Sequence, residues 1–325
     1  MIYLNEEHIK KIWINWEEAI DVIEDSVKCL AKNDYAQPIK PYLRYRDFNN
    51  RIIAMPAFLG GSINMAGIKW IASFPGNIKK NIPRAHSVTI LNNPDTGEPT
   101  AIINTALISV IRTASVSGLM IRYFQNIRQL KKIQVGIVGF GPIGQYHLKM
   151  CSSLLGNRID HIVLFDINNI DLNLIDKEIR DKIIIADSWQ KAYENADIFI
   201  TCTVSKSSYI NEKPKTGSLH LNVSLRDYKI CVYKWFKSAI IVDDWEEVCR
   251  EKTDIENMHL EKGLNKAQTF SICDIVMNNL YEPFINKNPI LFNPMGMAVF
   301  DIAMGAYYYN LALKNLIGQD LNMFN

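Results

Sequence analysis

A glycine-rich turn between a predicted strand and a predicted helix constrains the fold of this chain more than any other feature. Residues 139–144 read Gly-Phe-Gly-Pro-Ile-Gly, the pattern G-x-G-x-x-G, and they directly follow the apolar run 134–138. The first glycine of this pattern permits a tight turn, the second lets the backbone approach a pyrophosphate, and the third lets helix and strand pack closely. The N-terminus of the helix favours the bound anion. The predicted dinucleotide contacts are Gly139, Gly141, Pro142, Ile143 and Gly144.

An acidic residue after the next predicted strand supports this interpretation. The run 161–165 is mainly apolar, and Asp166 follows it, 22 residues after Gly144. In dinucleotide-binding folds an acid at roughly 20 residues from the motif binds the ribose hydroxyls of NAD and repels the 2′-phosphate of NADP. Ile167 and Asn168 add no cation that would reverse this preference. The sequence therefore predicts NAD as the cofactor; the alternative is a tight glycine turn that binds no ligand.

The segments around the glycine turn predict a parallel sheet. Compact strand candidates alternate with helical or loop segments after residue 131, and this order is typical of a doubly wound sheet of the Rossmann type. The six strand candidates are 134–138, 161–165, 182–185, 197–202, 218–223 and 239–242.

The residues before this sheet have a different pattern. A predicted helix begins after Asn15, short apolar runs follow as far as residue 104, and the turn 93–97 predicts a hairpin. The segments 105–124 and 298–316 are predicted helices, and we expect the second to return to the first domain. We therefore predict an α/β fold in which a Rossmann domain is inserted into a mixed α/β domain. The predicted segments are 1–125 for the substrate domain, 126–296 for the NAD-binding domain, and 297–325 for the C-terminal helix.

Composition argues against several classes of protein. The chain has 325 residues, and its 36 lysines and arginines nearly balance 34 acidic residues, which gives a net charge of +2. This balance argues against nucleic acid or an anionic membrane as a partner. The longest candidate for a membrane span is interrupted by Arg112 and Arg122, and residues 1–7 do not resemble a secretory signal. The six scattered cysteines predict free thiols in a reducing cytoplasm and no metal site.

Three cations in the first domain are candidates for binding a carboxylate. Lys69 lies in the apolar run 67–72, and Arg112 lies within a predicted apolar helix. A cation in apolar surroundings needs an anionic partner, and the planar guanidinium of arginine suits a carboxylate. The alternatives are a solvated sheet face for Lys69 and a structural ion pair for Arg112. Arg44 is a weaker candidate on its own. With NAD, these cations predict hydride removal from the α carbon of a small carboxylate substrate.

The sequence resembles the ornithine cyclodeaminase/mu-crystallin family over essentially its whole length. The shared positions are Arg44, Met55, Lys69, residues 112–114, the glycine turn, residues 293–298 and Asp301. Further shared stretches are 37–38, 40–44, 51–56, 67–71, 200–204, 242–245 and 250–252. The resemblance implies a homodimer of two-domain subunits.

This resemblance also implies an activity and a set of site residues. It implies that NAD oxidises N-(2-amino-2-carboxyethyl)-L-glutamate, which splits into 2-oxoglutarate and L-2,3-diaminopropionate for a siderophore or a peptide natural product. The implied substrate-binding residues are Arg44, Met55, Lys69 and Arg112, and the implied catalytic residues are Lys69 and Asp227. The additional cofactor-binding residues are Thr201, Cys202, Thr203, Val223, Met295 and Gly296.

Two departures from the cyclodeaminase pattern argue against ring closure. Cyclodeaminases tend to have K-Y-V-N where residues 69–72 read Lys-Trp-Ile-Ala, and their catalytic acid lies in a D-x-P-G-K context that residues 222–228 lack. Asp227 lies about two residues from the position of that acid, so it is either an acid–base group or an exposed turn residue. The open alternatives are an ornithine cyclodeaminase, another amino-acid dehydrogenase, a ketimine reductase, or a mu-crystallin-like protein that binds a ligand without turnover.

Overall fold

The computed structural model describes residues 1–278 and 281–321, and these residues divide into two compact units. Unit 1 comprises Met1–Arg112 and the chain from Met297 onward, and unit 2 comprises Thr113–Gly296. The division after Arg112 falls inside a long helix, whereas the sequence pattern predicts the boundary near the end of that helix. Residues 322–325 of the predicted C-terminal segment lie outside the described residues.

The described residues form strands of two to nine residues and helices of four to 22 residues. The strands, in chain order, are β1 (Ile2–Asn5), β2 (Tyr35–Ala36), β3 (Tyr42–Leu43), β4 (Arg51–Leu59), β5 (Met65–Ser73), β6 (Ala85–Asn92), β7 (Pro99–Asn104), β8 (Ile133–Val138), β9 (Ile159–Phe165), β10 (Ile183–Ile185), β11 (Ile198–Thr201), β12 (Leu219–Asn222), β13 (Ile240–Val242), β14 (Phe270–Ser271), β15 (Ile290–Asn293) and β16 (Gln319–Asp320). The helices are α1 (Glu6–Lys11), α2 (Trp16–Ala31), α3 (Leu107–Arg128), α4 (Pro142–Leu155), α5 (Trp189–Tyr193), α6 (Tyr233–Phe236), α7 (Trp245–Val248), α8 (Asp254–Lys262), α9 (Ile272–Met277), α10 (Glu282–Ile285) and α11 (Ala298–Lys314).

Unit 1 is built on one mixed sheet with helices on one face. The strand order is β16-β1-β7-β6-β5-β4-β2, and β3 also pairs with β4. Strands β4 to β7 form an antiparallel meander, and the predicted hairpin at 93–97 connects β6 to β7. Helix α11 packs on β4, β5, β6 and α2. The C-terminal helix therefore belongs to the same unit as the N-terminal strands.

Burial alternates from residue to residue along the strands, and this alternation identifies the covered face of the sheet. On β4 the residues Ile53, Met55, Ala57 and Leu59 are buried, while the residues between them are partly exposed. Asn15 caps α2 by accepting a hydrogen bond from the Glu18 amide at 3.3 Å, as the sequence pattern predicts. The buried face of the meander and the apolar face of α2 thus supply the core of unit 1.

Unit 2 is a doubly wound parallel sheet. Its strand order is β10-β9-β8-β11-β12-β15-β13-β14, and every pairing is parallel. The chain order reverses between β8 and β11, and in open α/β sheets ligands bind at the carboxyl ends of the strands beside such a reversal. The six predicted strands are present. Strands β14 and β15 were missed, and β15 lies between β12 and β13.

Helix α3 is long and apolar enough to be tested as a membrane span. Its most apolar window has a mean hydropathy of 1.2, and 78% of that window is buried within the protein. Core helices of soluble proteins pass the same test of length and composition, so this helix gives only weak support for a membrane span.

Candidate active site

The glycine turn of unit 2 lies between β8 and α4, and two of its glycines are required by close backbone contacts. Gly139 has φ +91°, and a Cβ atom there would lie 2.6 Å from the backbone of Cys202. A Cβ atom at Gly144 would lie 2.0 Å from the carbonyl oxygen of Gly139. A Cβ atom at Gly141, the N-cap of α4, would meet nothing within 4 Å. Packing therefore does not require glycine at position 141, and the open space before the helix fits a pyrophosphate.

Asp166 lies directly after β9 and contacts this turn. Its carboxylate accepts hydrogen bonds from the Phe140 amide at 2.7 Å and from the Asn168 amide at 2.8 Å. It also lines an open cavity of about 570 Å³ that is formed by residues 165–170 and 185–187. A carboxylate in this position can accept hydrogen bonds from ribose hydroxyls and repels a 2′-phosphate. The residues of unit 2 therefore fit NAD.

The ends of β11 and β12 place a second group of predicted residues beside the glycine turn. The Cys202 amide donates to the Val138 carbonyl at 2.7 Å, and the Thr203 amide donates to Ser224 Oγ at 2.7 Å. Thr201 Oγ1 donates to Asn222 Oδ1 at 3.2 Å. Residues 201–203 and the segment that follows β12, with Val223, are thus held together at the carboxyl end of the sheet.

Asp243 fixes the segment that contains Met295 and Gly296. The carboxylate of Asp243 accepts hydrogen bonds from the Met295 amide at 3.0 Å and the Gly296 amide at 2.7 Å. Asp243 is buried and directly follows β13. Sequence reasoning noted residues 242–245 as a shared stretch but missed this role, although an acid after a buried strand is a recognisable signal.

Asp227 is buried, so the alternative of an exposed turn aspartate is wrong. Its carboxylate accepts the hydroxyl proton of Thr203 at 2.7 and 2.9 Å to its two oxygens. Burial raises the pKa of Asp227, although hydrogen bonds from Thr203 and neighbouring hydroxyls oppose the increase. A carboxylate with a raised pKa suits general acid–base catalysis near neutral pH.

A second buried carboxylate, that of Asp254, holds the segment that carries Asp227. Asp254 Oδ2 accepts hydrogen bonds from Asn222 Nδ2 at 3.0 Å and from the amides of Asp227 and Tyr228 at 3.0 and 3.1 Å. Burial raises the pKa of Asp254 to about 7. Asn222 Nδ2 also donates to Asn293 Oδ1 at 2.8 Å. Sequence reasoning missed Asp254, because its contacts join segments that are far apart in the chain.

In unit 1, Lys69 lies in the middle of β5 and its side chain is buried. Lys69 is 2% exposed, so the alternative of a solvated sheet face is wrong. Lys69 pairs directly with Met55 on β4 and with Thr89 on β6, which places these three residues in one row. The row lies on the buried face of the sheet, where α11 packs.

Asp301 on α11 brings Lys69 and Arg112 together. Asp301 Oδ1 accepts hydrogen bonds from Lys69 Nζ at 2.9 Å, from Arg112 Nε at 3.0 Å and from Ser109 Oγ at 3.2 Å. Asp301 Oδ2 is buried and has no hydrogen-bond partner among the described residues. The ion pair that was the alternative for Arg112 is therefore present. Two cations share one carboxylate, so this buried cluster has a net charge of +1.

The charges of this cluster affect one another. Burial lowers the pKa of Lys69 to about 8, an effect that Asp301 opposes and that the charges of Arg112 and Lys40 reinforce. Burial alone would raise the pKa of Asp301, but the positive charges of Arg112 and Lys69 hold it below its ordinary value. Lys40 is itself buried, and sequence reasoning did not select it as a site residue.

The other two predicted substrate residues occupy different positions. Met55 is buried beside Lys69, whereas Arg44 follows β3 on an exposed segment. The guanidinium carbon of Arg44 lies 5.2 Å from the centroid of the Tyr42 ring. Arg44 therefore lies beside Tyr42, while Lys69, Arg112 and Asp301 form the buried cluster.

Each unit offers its own functional groups. Unit 1 offers buried positive charge to a carboxylate, and unit 2 offers an open helix N-terminus, a ribose-binding acid and a buried carboxylate that can accept a proton. Among the residues that the structure describes, no group of three or more His, Cys, Asp and Glu side chains could hold a metal ion.

Comparison with known proteins supports a family assignment. A family model described as "Ornithine cyclodeaminase/mu-crystallin family" matches residues 4–315. A relative from Staphylococcus aureus (strain NCTC 8325 / PS 47), N-((2S)-2-amino-2-carboxyethyl)-L-glutamate dehydrogenase, is 33% identical over 338 aligned positions that cover 100% of this chain and 99% of the relative.

Solved structures show the same fold. A Thermococcus litoralis Delta(1)-pyrroline-2-carboxylate reductase in complex with NADH and L-proline has a TM-score of 0.88 at 23% identity, and the match covers 99% of this chain and 100% of the reductase. An archaeal alanine dehydrogenase dimer with bound NAD has a TM-score of 0.81 at 20% identity, with 100% and 99% covered. The predicted fold is confirmed.

Proposed function

Because the chain belongs to the ornithine cyclodeaminase/mu-crystallin family, we propose that it is an NAD-dependent oxidoreductase that cleaves N-(2-amino-2-carboxyethyl)-L-glutamate. The products are L-2,3-diaminopropionate, 2-oxoglutarate and NADH. The observation that carries this proposal is the 33% identity, over the full length of both chains, to the dehydrogenase from S. aureus. The geometry of both units supports a reaction at the CH–NH bond of an amino acid.

The buried cluster of unit 1 binds a carboxylate of the substrate in this proposal. Lys69 and Arg112 carry two positive charges, and Asp301 neutralises only one of them. A buried excess charge is unfavourable unless it is paired, and a substrate carboxylate would provide the missing anion. Arg112 donates to Asp301 through Nε, so its terminal N–H groups can make this contact. Met55 lies beside Lys69 and would contact the adjacent carbon atoms.

The residues around the glycine turn bind the cofactor in unit 2. These residues would hold NAD, which would supply the acceptor for a hydride from the α carbon of the glutamate half of the substrate. Gly139, Gly141 and Gly144 give the turn its shape, Pro142 and Ile143 begin the helix, and Asp166 binds the ribose hydroxyls. The remaining proposed cofactor contacts are Thr201, Cys202, Thr203, Val223, Met295 and Gly296.

Asp227 and Lys69 have different roles in the proposed mechanism. The secondary amine of the substrate must lose its extra proton before its lone pair can assist hydride departure. Asp227 accepts this proton, because its carboxylate is buried, has a raised pKa and has no cationic partner among the described residues. Lys69 stays protonated beside Asp301 and holds the substrate carboxylate.

Hydrolysis completes the reaction. Loss of the hydride from the neutral amine leaves an iminium ion between the former α carbon and the amine nitrogen of the diaminopropionate half. Water adds to the carbon of this ion and releases one proton to solvent, and the C–N bond of the resulting carbinolamine then breaks. Asp227, now protonated, returns a proton to the departing amine, which leaves as L-2,3-diaminopropionate while the carbon skeleton leaves as 2-oxoglutarate.

Product identity tests this proposal against the other reactions of the family. We would incubate the full chain with N-(2-amino-2-carboxyethyl)-L-glutamate and NAD, follow NADH by absorbance, and identify the products by mass spectrometry. NADH with 2-oxoglutarate and diaminopropionate is the expected result. Proline and ammonia from ornithine without net NADH would instead identify a cyclodeaminase. Tight ligand binding without any turnover would identify a mu-crystallin-like binding protein.

We further propose that the enzyme supplies diaminopropionate for a siderophore or a peptide natural product and works in the cytoplasm. The pathway proposal rests on the relative from S. aureus. No disulfide joins the six cysteines in the part of the chain that the structure describes, which is compatible with a reducing compartment.

We also propose a homodimer that forms through the sheet of unit 1. The face opposite Lys69 carries apolar residues in adjacent rows of the meander, and Trp70 on this face is 46% exposed. These residues are Ala54, Pro56, Ile68, Trp70, Val88, Ile90 and Ile102. A contiguous apolar patch on a sheet usually marks an interface. A second copy of the chain would cover it, as in the related archaeal protein that is described as a dimer.

A further inference from the structure

Two arginines of unit 1 lie beside the same aromatic ring. The guanidinium carbons of Arg44 and Arg51 lie 5.2 and 5.6 Å from the centroid of the Tyr42 ring. Strand β3 pairs with β4 so that Leu43 is opposite Ile52, and the next position in this register would place Arg44 opposite Arg51. An anion that lies beside both arginines would be stabilised by two positive charges.

Arg51 lies on the same face of the sheet as the buried cluster. Side chains alternate along a strand, so Arg51, Ile53 and Met55 share one face of β4, and Met55 pairs with Lys69. The backbone positions of Arg51 and Met55 are about 13 Å apart at a rise of 3.3 Å per residue. The side chains of Arg51 and Lys69 are long, so their charged ends can lie closer together than their backbone positions. One small molecule can then contact both.

Ser87 on β6 provides a polar group between the two cationic positions. Ser87 pairs with Ile71 on β5. On the face that carries Lys69, this pair forms the next row in the direction of Arg51. The side chain is 4% exposed, and its Oγ atom has no hydrogen-bond partner among the described residues. A buried hydroxyl without a partner is unfavourable, and an acceptor atom of a ligand would satisfy it.

Helix α11 runs from the Lys69 row away from Ser87. Asp301, near the start of the helix, contacts Lys69. One turn later, a Cβ atom at Gly305 would lie 3.2 Å from Leu91. Leu91 and Ser87 lie on opposite sides of the row that contains Lys69. The rows of Ser87 and Arg51 therefore lie toward the N-terminal end of α11.

We infer that Arg51, together with Arg44 and Ser87, binds the side-chain carboxylate of the glutamate half of the substrate. Lys69 and Arg112 bind the α-carboxylate of the same half. Arg51 has no acidic partner among the described residues, so its charge is available to the substrate. This inference rests on the proposed function and adds a specificity determinant to it. The site selects dicarboxylic over monocarboxylic amino-acid skeletons.

Binding of two 2-oxo acids tests this inference. Calorimetry on the full chain saturated with NADH would compare 2-oxoglutarate, which has the second carboxylate, with 2-oxobutyrate, which lacks it. The wild-type protein should bind 2-oxoglutarate more tightly by on the order of 10- to 100-fold, as expected for a charge-assisted hydrogen bond. Arg51→Gln should remove this preference and leave the affinity for 2-oxobutyrate unchanged, and Ser87→Ala should reduce the preference.

Matched controls separate this role from a general effect of charge or folding. Lys79→Gln removes an exposed cation from the same unit and should leave the preference intact. Arg51→Lys should retain part of the preference for 2-oxoglutarate. The inference is wrong if the wild-type protein shows no preference for 2-oxoglutarate, or if Arg51→Gln weakens the binding of both oxo acids equally.

These binding measurements test the proposed subsite independently of turnover. If no NADH forms from N-(2-amino-2-carboxyethyl)-L-glutamate while the preference for 2-oxoglutarate depends on Arg51, the proposed function fails and the subsite is supported. If NADH forms but the two oxo acids bind equally in all variants, the proposed function is supported and the subsite is rejected.

Discussion

Lys69 Nζ and Asp301 Oδ1 lie 2.9 Å apart although 232 residues separate them in the chain. Both side chains are almost completely buried, and Arg112 binds the same carboxylate oxygen. The contact joins the middle of the meander to the C-terminal helix. It also determines how strongly Lys69 holds its proton, and therefore the pH range in which Lys69 can bind a carboxylate.

Replacing Asp301 by Asn should shift the alkaline limit of activity. Lys69 has a pKa of about 8, and the charge of Asp301 raises it against the effect of burial. Without that charge the pKa falls further, so Lys69 loses its proton at lower pH. The pH profile of kcat/KM reports groups of the free enzyme, and its alkaline limb should move to lower pH. Asp95→Asn, an exposed change in the same unit, is the control. A wild-type profile that rises through pH 8 would instead identify Lys69 as the base.

Replacing Asp227 by Asn should lower kcat by about 10²–10⁴, the usual contribution of a general base. Asn retains an acceptor for the Thr203 hydroxyl, so the fold should be preserved. The acid limb of the wild-type profile should lie above the usual range of an aspartate, because burial raises the pKa of Asp227. Stopped-flow turnover and calorimetric NAD binding would be measured together. Normal turnover in the variant would remove Asp227 from the mechanism.

Replacing Asp166 by Ala should weaken NAD binding by on the order of 10- to 100-fold, because hydrogen bonds from ribose hydroxyls to a carboxylate are lost. The preference for NAD over NADP should also decrease, since the repulsive charge is removed. Titration of intrinsic fluorescence with both nucleotides would measure the change. Asp171→Ala, another aspartate of unit 2 that accepts a backbone N–H, is the control. Unchanged NAD affinity in Asp166→Ala would exclude the ribose role.

His147 is buried as a neutral group and should contribute a loss of stability to unit 2 on acidification. Burial lowers the pKa of His147 to about 4, from an ordinary value of 6.5. Between these values the unfolded chain protonates this histidine and the folded chain does not, so the contribution of His147 to the free energy of unfolding falls as the pH falls from 6.5 to 4. The loss is about 3 kcal/mol at 1.36 kcal/mol per pKa unit.

Urea unfolding at pH 7 and pH 4.5 would measure this loss. Relative to the wild-type protein, His147→Gln should gain stability between pH 7 and pH 4.5, because Gln cannot take up the proton. His161→Gln, a partly exposed histidine of the same unit, should behave like the wild-type protein. An equal dependence on pH in all three proteins would contradict the assignment to His147. His220, whose pKa burial lowers to about 3, contributes in the same direction. Asp254, whose pKa burial raises to about 7, contributes in the opposite direction, because its folded form binds a proton that its unfolded form does not.

The proposed dimer should dissociate when charge is added to the apolar face of the sheet. Ile68→Asp and Trp70→Asp place a carboxylate among the apolar rows, and burying an unpaired charge in an interface is strongly unfavourable. Analytical ultracentrifugation should show a dimer for the wild-type chain and a monomer for these variants. Trp13→Asp changes a tryptophan that is 86% exposed elsewhere in unit 1 and should leave the mass unchanged. A monomeric wild-type chain would reject the proposal.

The local patterns of the sequence were sufficient to predict much of the fold. The glycine turn, the acid after β9 and the hairpin at 93–97 are local signals, and all three form the predicted structures. Strand β15 was missed because it has only four residues and lies between β12 and β13, far from its place in the chain order. Short edge strands such as β16 were missed because their pairing, and not their composition, defines them.

The site was less accessible to sequence reasoning. Lys69 and Arg112 were recognised because a cation among apolar residues is unusual in any context. Asp301 was noted only as a shared residue, and nothing in the sequence indicates that it faces Lys69. Asp254 was missed for the same reason, since its carboxylate binds backbone amides from a distant segment. Such partners follow from the topology of the chain.

The position of Asp301 late in the sequence has a consequence for biosynthesis. Lys69 and Arg112 leave the ribosome long before their counter-ion, and the whole of unit 2 is synthesised in between. Burying two cations without their carboxylate would cost several kcal/mol for each ion. The nucleotide-binding unit can therefore complete its core during translation, whereas the sheet of the first unit reaches its final packing only after α11 has emerged. A ribosome that stops before residue 301 would release a chain with one finished unit and one unfinished unit, a substrate for cellular proteases.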